Sequence, residues 1–129
     1  MATVGEIMSS DLLHVEPGLP LTEAAARIDA RRVGAALVLA GERLAGILTE
    51  RDILRAVAAG RVEETTVADW MTPHPETIDP SDTTGHAAAL MIHGGFRHLP
   101  VVAGGTPVGI VSIRDLVRHV LDDESPRGA

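Results

Sequence analysis

The sequence predicts an α+β fold, with tandem β-α-β-β-α repeats packed about a pseudo-twofold axis. Three observations predict it. First, the chain aligns with itself without a gap at an offset of 63 residues, the mark of an internal duplication. Matched identities include Met8 with Met71, Pro17 with Pro80, Ala24-Ala25-Ala26 with Ala87-Ala88-Ala89, Val38 with Val101 and Gly41 with Gly104. Second, both copies close on glycine, two apolar residues, a hydroxyl residue, two variable residues and aspartate. These are Gly46-Ile47-Leu48-Thr49-Glu50-Arg51-Asp52 and Gly109-Ile110-Val111-Ser112-Ile113-Arg114-Asp115. Third, short apolar runs alternate with segments of helical spacing in each copy. The repeats are assigned to residues 1–62 and 63–122, followed by a tail at 123–129. About 60 residues is marginal for an independent domain. Each half is therefore expected to need the other, and two related clefts are expected between them.

The elements follow in order. Thr3 to Met8 forms a turn or short helix, and Leu12-Leu13-His14-Val15 a strand that stops before Pro17 and Gly18. Residues 20–32 are helical, with Leu21, Ala24, Ala25 and Ile28 at helical spacing and Gly34 as the stop. Ala35 to Ala40 is a continuous apolar run, as expected of a strand buried on both faces. Gly41-Glu42 makes a turn, and Leu44 to Leu48 returns as the next strand. Thr49 opens a helix through Ile53, Leu54 and Val57 that ends at Gly60. After a polar linker at 61–66 the pattern repeats. Val67 to Met71 matches Val4 to Met8, and Thr77-Ile78 matches His14-Val15. Asp82 to His93 is the helix, stopped by Gly94-Gly95. Arg97 to Ala103 and Val108 to Val111 are the strands about Gly104-Gly105, and Ser112 to Leu121 is the last helix. The stretch from Asp122 to Ala129 is expected to fray.

Composition narrows the function classes. Trp70 and Phe96 are the only aromatic residues, so the core must be aliphatic. The formal net charge is −7, and all eleven basic residues are Arg. An acidic chain repels a nucleic-acid backbone, so nucleic acid is not expected as a partner. No basic leader with an apolar core opens the chain, and no run nears the ~18 apolar residues of a membrane span. With no cysteine, disulfides and thiolate metal sites are excluded, and a cytoplasmic location is expected. There is no P-loop pattern, no nucleophile elbow and no cysteine nucleophile. The chain therefore reads as non-catalytic.

The repeated motif allows two readings. A hydroxyl at a helix start leaves backbone N–H groups facing outward, which suits a phosphate. An aspartate one turn later can accept hydrogen bonds from a sugar diol. Equally, Thr49-x-x-Asp52 and Ser112-x-x-Asp115 have the form of a capping box with Asp in the place of Glu or Gln. A duplicated fold duplicates its caps, so repetition alone does not choose between the two.

Taken together, these residues resemble a pair of cystathionine β-synthase (CBS) domains. The resemblance rests on the two motifs in one register, each behind an apolar strand pair. It also rests on Arg97-His98-Leu99-Pro100-Val101 and on the Val-x-x-x-Met that opens each half, and it spans residues 3–122. It implies a regulatory module binding AMP, ADP, ATP or S-adenosylmethionine between the repeats, as an effector with no obligatory cofactor. By position, Asp52 and Asp115 would hold ribose hydroxyls and Thr49 and Ser112 would face phosphate. Thr77-Ile78 and His14-Val15 would offer backbone groups to the base. Arg97 and His98 would meet phosphate, with packing as the alternative for His98. The first half carries Gly34 and Ala35 in their place, so the two clefts are expected to differ.

The remaining features read as structural. The six histidines show no i, i+4 pair, although His86 and His93 could share a helix face, so no metal site is expected. Arg51 and Arg114 are surface charges or phosphate contacts. Trp70 either packs between the halves or stays exposed for a partner. The resemblance implies a homodimer through helical faces, for which the Ala-rich helices at 23–30 and 86–92 would allow close approach, and the protein target is open. The competing function is an assembly module that keeps the fold without the ligand.

Overall fold

The computed structural model describes residues 2–124. The chain forms two compact bodies. One is residues 11–75; the other joins the first ten residues to the chain from 76 onward. These bodies do not coincide with the sequence period, because each contains the opening segment of the other repeat. Helix α1 (Val4–Ile7) lies in the second body: its Val4 and Gly5 N–H groups donate to the Asp82 and Pro80 carbonyls, both at 2.8 Å. Correspondingly, Val67 and Ala68 donate to the Leu19 and Pro17 carbonyls of the first body, both at 2.9 Å.

In the first body, β1 (His14–Val15), α2 (Leu21–Arg31), β2 (Ala35–Ala40), β3 (Arg43–Thr49) and α3 (Glu50–Ala58) are followed by α4 (Val67–Trp70) and β4 (Thr72–Pro73). The sheet order is β1-β2-β3-β4. Strands β1 and β2 are parallel, and β2 runs antiparallel to β3 with Ala35 opposite Thr49. β2 is buried through its first four residues, as a two-sided strand should be. Leu21, Ala24 and Ile28 of α2 and Ala56 of α3 turn toward Val38 and Leu48 in a closed aliphatic core. Trp70 is half-buried against this same core; its Nε1–H donates to Thr65 Oγ1 at 3.0 Å, and Arg61 lies over its ring. By sequence Trp70 belongs to the second repeat, yet it packs on a core built mostly from the first, so it joins the two repeats within one body and is not left exposed.

The second body repeats the plan with α5 (Thr84–Gly94), β5 (His98–Ala103), β6 (Thr106–Ser112) and α6 (Ile113–Glu124). His98 stands opposite Ser112 across β5 and β6. Leu99, Val101, Val111, Ala87, Met91 and Val4 form its core.

Four details depart from the sequence expectation. The Thr77-Ile78 strand shrinks to a single bridge, Ile78 to Val101. Its counterpart β1 is held in part by Leu37 N–H donating to Leu13 O at 3.0 Å. The residue matching Leu37 is Pro100, which has no N–H to give. In addition, β4 pairs with Gly46-Ile47 of β3, a strand not foreseen. Gly34 is not the stop of α2; Arg32 takes the left-handed turn at φ 54°, as Gly95 does after α5 at φ 71°. Finally, α6 continues through Glu124, so the first residues of the presumed tail are helical, and the rest of that tail, 125–129, lies outside the described residues.

The motif glycines have a packing reason. A Cβ on Gly46 would stand 2.7 Å from the Thr72 carbonyl and 2.8 Å from Met71 Sδ. On Gly109 it would meet Met8 Sδ and the Ser9 carbonyl. The Val-x-x-x-Met opening and the motif glycine are thus two sides of one contact, made by segments from opposite repeats.

Candidate functional site

Each body collects its own set of the sequence-predicted residues. In the first, Thr49 ends β3 and caps α3. The Thr49 N–H donates to Asp52 Oδ2 at 2.9 Å, and the Asp52 N–H donates back to Thr49 Oγ1 at 3.3 Å. Thr49 Oγ1 also donates to Asp52 Oδ2 at 3.1 Å. In the second, the Ser112 N–H donates to Asp115 Oδ2 at 2.8 Å, and the Asp115 N–H donates to Ser112 Oγ at 3.1 Å. Both motifs are therefore reciprocal helix caps. The first-turn N–H groups are also partly committed: Glu50 donates to Gly34 O at 3.0 Å and Ile113 to Arg97 O at 2.9 Å. A phosphate at either helix start would find fewer open donors than the motif alone suggests.

The aspartates differ in their other oxygen. Asp52 is 5% exposed, and its Oδ1 pairs with Arg55 Nη1 at 3.5 Å. Asp115 is half-buried, and among the described residues no ion pair engages its Oδ1. The residue matching Arg55 is Arg118, with the same spacing, yet Arg118 makes no such pair among the described residues. Sequence reasoning did not single out Arg55; its i+3 position after an acid was the available signal.

The second body brings its set to one edge. His98 and Ser112 are directly opposite in an antiparallel pair, so their side chains share a face. Arg97 is exposed beside them, and its carbonyl receives the first N–H of α6. Ile78 is buried, with its N–H donating to Pro100 O at 3.0 Å and its carbonyl accepting from Val102 at 2.9 Å. Its backbone is thus used by the sheet, whereas Thr77 is exposed, and no described loop or turn hydrogen bond takes its backbone groups. Asp79 follows in a tight turn in which Ser81 Oγ and N–H donate to its Oδ1 at 2.6 and 2.8 Å; these bonds hold its carboxyl below the usual range. In the first body the same edge holds exposed His14, buried Val15, and Gly34 and Ala35 in the basic positions.

Among the described residues no three His, Asp or Glu side chains gather as metal ligands, and no helix is long and apolar enough to cross a membrane.

Against known proteins, the CBS domain model matches residues 4–59 and again 67–122. The CBS domain-containing protein YhcV of Bacillus subtilis is 34% identical over 130 residues, an alignment covering 100% of this chain and 93% of that one. A putative signal-transduction protein with CBS domains from Burkholderia ambifaria superposes with a TM-score of 0.91 at 33% identity, over 99% of this chain and 100% of that one. CBSX2, an Arabidopsis thaliana protein solved in complex with AMP, gives 0.83 at 28% identity, over 95% and 98%.

Proposed function

The chain belongs to the CBS-domain family, and from that premise we propose that it is a non-catalytic regulatory module that binds an adenosine-containing effector. AMP is the first candidate, because the Arabidopsis neighbour is complexed with it; ADP, ATP and S-adenosylmethionine follow from the resemblance. The observation that carries the reading is the edge of the second body. There an exposed Arg97 precedes a half-buried His98, His98 stands opposite Ser112 of the Ser112–Asp115 pair, and exposed Thr77 precedes Ile78, which bridges Val101 of β5. Asp115 caps α6 through Oδ2 and keeps Oδ1 for a ribose hydroxyl. Arg97 supplies a fixed positive charge for phosphate. Ligand binding then biases a surface read by a protein target, by as much as the ligand's affinities for two states differ. The protein acts in the cytosol and as a homodimer through its helical faces.

The first body supports a second reading. Its motif is a closed cap with Arg55 on the remaining oxygen and no basic pair alongside, as expected of a module that keeps the fold for assembly. In the leading account, that site is the weaker one.

The test is thermal unfolding with AMP, ADP, ATP, S-adenosylmethionine and no addition. Ligand at 100 times its dissociation constant stabilises by roughly 2.7 kcal/mol, a midpoint shift of about 5 to 10 °C. A shift that disappears in Asp115→Ala supports the sensor. No shift with any of the four leaves assembly as the function.

A further inference from the structure

The chain holds four methionines and no cysteine, so thioether sulfur is its only sulfur open to oxidation. Met1 lies outside the described residues. Met91 is 2% exposed inside the core of the second body. Met8 and Met71 are half-buried, each packed against the core of its own body. Each stands directly after a four-residue helix and directly before a paired segment. The Met8 N–H closes α1 on the Val4 carbonyl at 2.8 Å, and the Met71 N–H closes α4 on the Val67 carbonyl at 2.9 Å. Next in the chain, Ser9 exchanges two hydrogen bonds with Ile110, at 2.9 and 3.0 Å, and Thr72-Pro73 pairs with Gly46-Ile47. Both sulfurs press on a motif glycine. The point where Gly46 would carry a Cβ is 2.8 Å from Met71 Sδ and 2.7 Å from the Thr72 carbonyl oxygen. The same point on Gly109 meets Met8 Sδ, with the Ser9 carbonyl oxygen at 3.0 Å. Apart from sulfur, the polar atom at each contact is therefore a hydrogen-bond acceptor. An apolar thioether fits there. A sulfoxide does not, because its oxygen is itself an acceptor and a half-buried dipole without a donor costs free energy.

We propose that Met8 and Met71 are paired modification sites for peroxide, and that their sulfoxides release the opening segment of each repeat from the strand carrying the other repeat's motif. In the step, a sulfur lone pair attacks one peroxide oxygen. The S–O bond forms as the O–O bond breaks, and the sulfur loses two electrons to the peroxide. The proton on the transferred oxygen passes to the other oxygen, which leaves as water, or as an alcohol from an alkyl hydroperoxide. The loosened strands end at Ser112 and Thr49, two residues beyond Ile110 and Ile47, so the change reaches both helix caps. This inference needs no bound effector and stands whether or not the chain binds one.

The test treats the native protein with dilute hydrogen peroxide, then maps its peptides by mass spectrometry. Met8 and Met71 should gain one oxygen at least about tenfold faster than Met91, because susceptibility follows exposure. The thermal midpoint of the treated protein should fall by about 5 °C or more, and methionine sulfoxide reductases acting on both epimers should restore it. Leucine nearly conserves the volume of methionine, so a Met8→Leu/Met71→Leu protein should fold and keep its midpoint through the same treatment. Oxidation of Met91 as fast as the other two overturns the proposal. So does oxidation of Met8 and Met71 that leaves the midpoint unchanged, or a fall in the double variant as large as in the wild type. The mapping and the reductase reversal use the wild-type chain, so they decide the question even where the double variant does not fold.

Discussion

The two copies of the motif share a backbone plan and differ in what surrounds it. Thr49–Asp52 is a closed unit: a full capping box, a buried carboxylate, an arginine on its second oxygen, and Gly34 and Ala35 where a basic pair could stand. Ser112–Asp115 caps its helix equally well but keeps one oxygen unpaired among the described residues, with Arg97 and His98 alongside. Duplication carries a cap along with the helix start it closes, whether or not a ligand binds there. Binding capacity depends on a few side chains outside the cap, and in those the copies have diverged.

Where the copies are alike, damage should be alike and large. Gly46→Val and Gly109→Val each force a side chain into Met and carbonyl atoms of a crossing segment, costing roughly 1–3 kcal/mol by denaturant unfolding. A large effect in only one body would break the equivalence of the two contacts. The caps come next. Asp52→Ala should destabilise the unliganded protein by about 1–2 kcal/mol and Asp115→Ala by less, about 0.5–1 kcal/mol, because only Asp52 is buried and paired. Equal losses would remove the distinction. Arg32→Gly should stabilise by up to about 1 kcal/mol, making the stop of α2 like that of α5, where Gly95 turns without a side-chain penalty. Arg55→Ala should change stability by under about 1 kcal/mol, since its guanidinium is 63% exposed and screened.

Acid acts on carboxylates of both bodies, and Trp70, the single tryptophan, reports on the first. Asp69 accepts from Thr66 N–H at 2.9 Å and from Thr65 Oγ1 at 2.8 Å, and these bonds, the backbone one foremost, hold its carboxyl below the usual range. With the folded value depressed, this support is fully present above the unfolded pKa, about 3.9, and is lost as pH falls through the folded value. Trp70, bonded to the same Thr65, should report the loss as a fluorescence change below about pH 4 that Asp69→Asn shows already at neutral pH.

Much of this was legible in the sequence. The offset of 63 residues gave the repeat, the apolar runs gave the four long strands, and the hydroxyl-x-x-Asp spacing placed both caps. What escaped had long-range causes. That Met71 covers Gly46 and Met8 covers Gly109 depends on segments crossing to the other repeat's body, which periodicity does not encode. The left-handed Arg32 breaks local preference, so the sequence points to Gly34, two residues on, as the stop. The loss of the Thr77-Ile78 strand was in principle readable, because Pro100 stands where Leu37 supplies an N–H, but only once the pairing register was known. For the candidate site, residue identity carried the contrast between Arg97-His98 and Gly34-Ala35, whereas the Arg55 contact required side-chain geometry.

The most direct test of the account is calorimetric titration of AMP into the wild-type chain, Asp52→Ala and Asp115→Ala. The account predicts one dominant site per chain, retained in Asp52→Ala and lost in Asp115→Ala. Two equal sites, or a site that survives in Asp115→Ala and vanishes in Asp52→Ala, would contradict it.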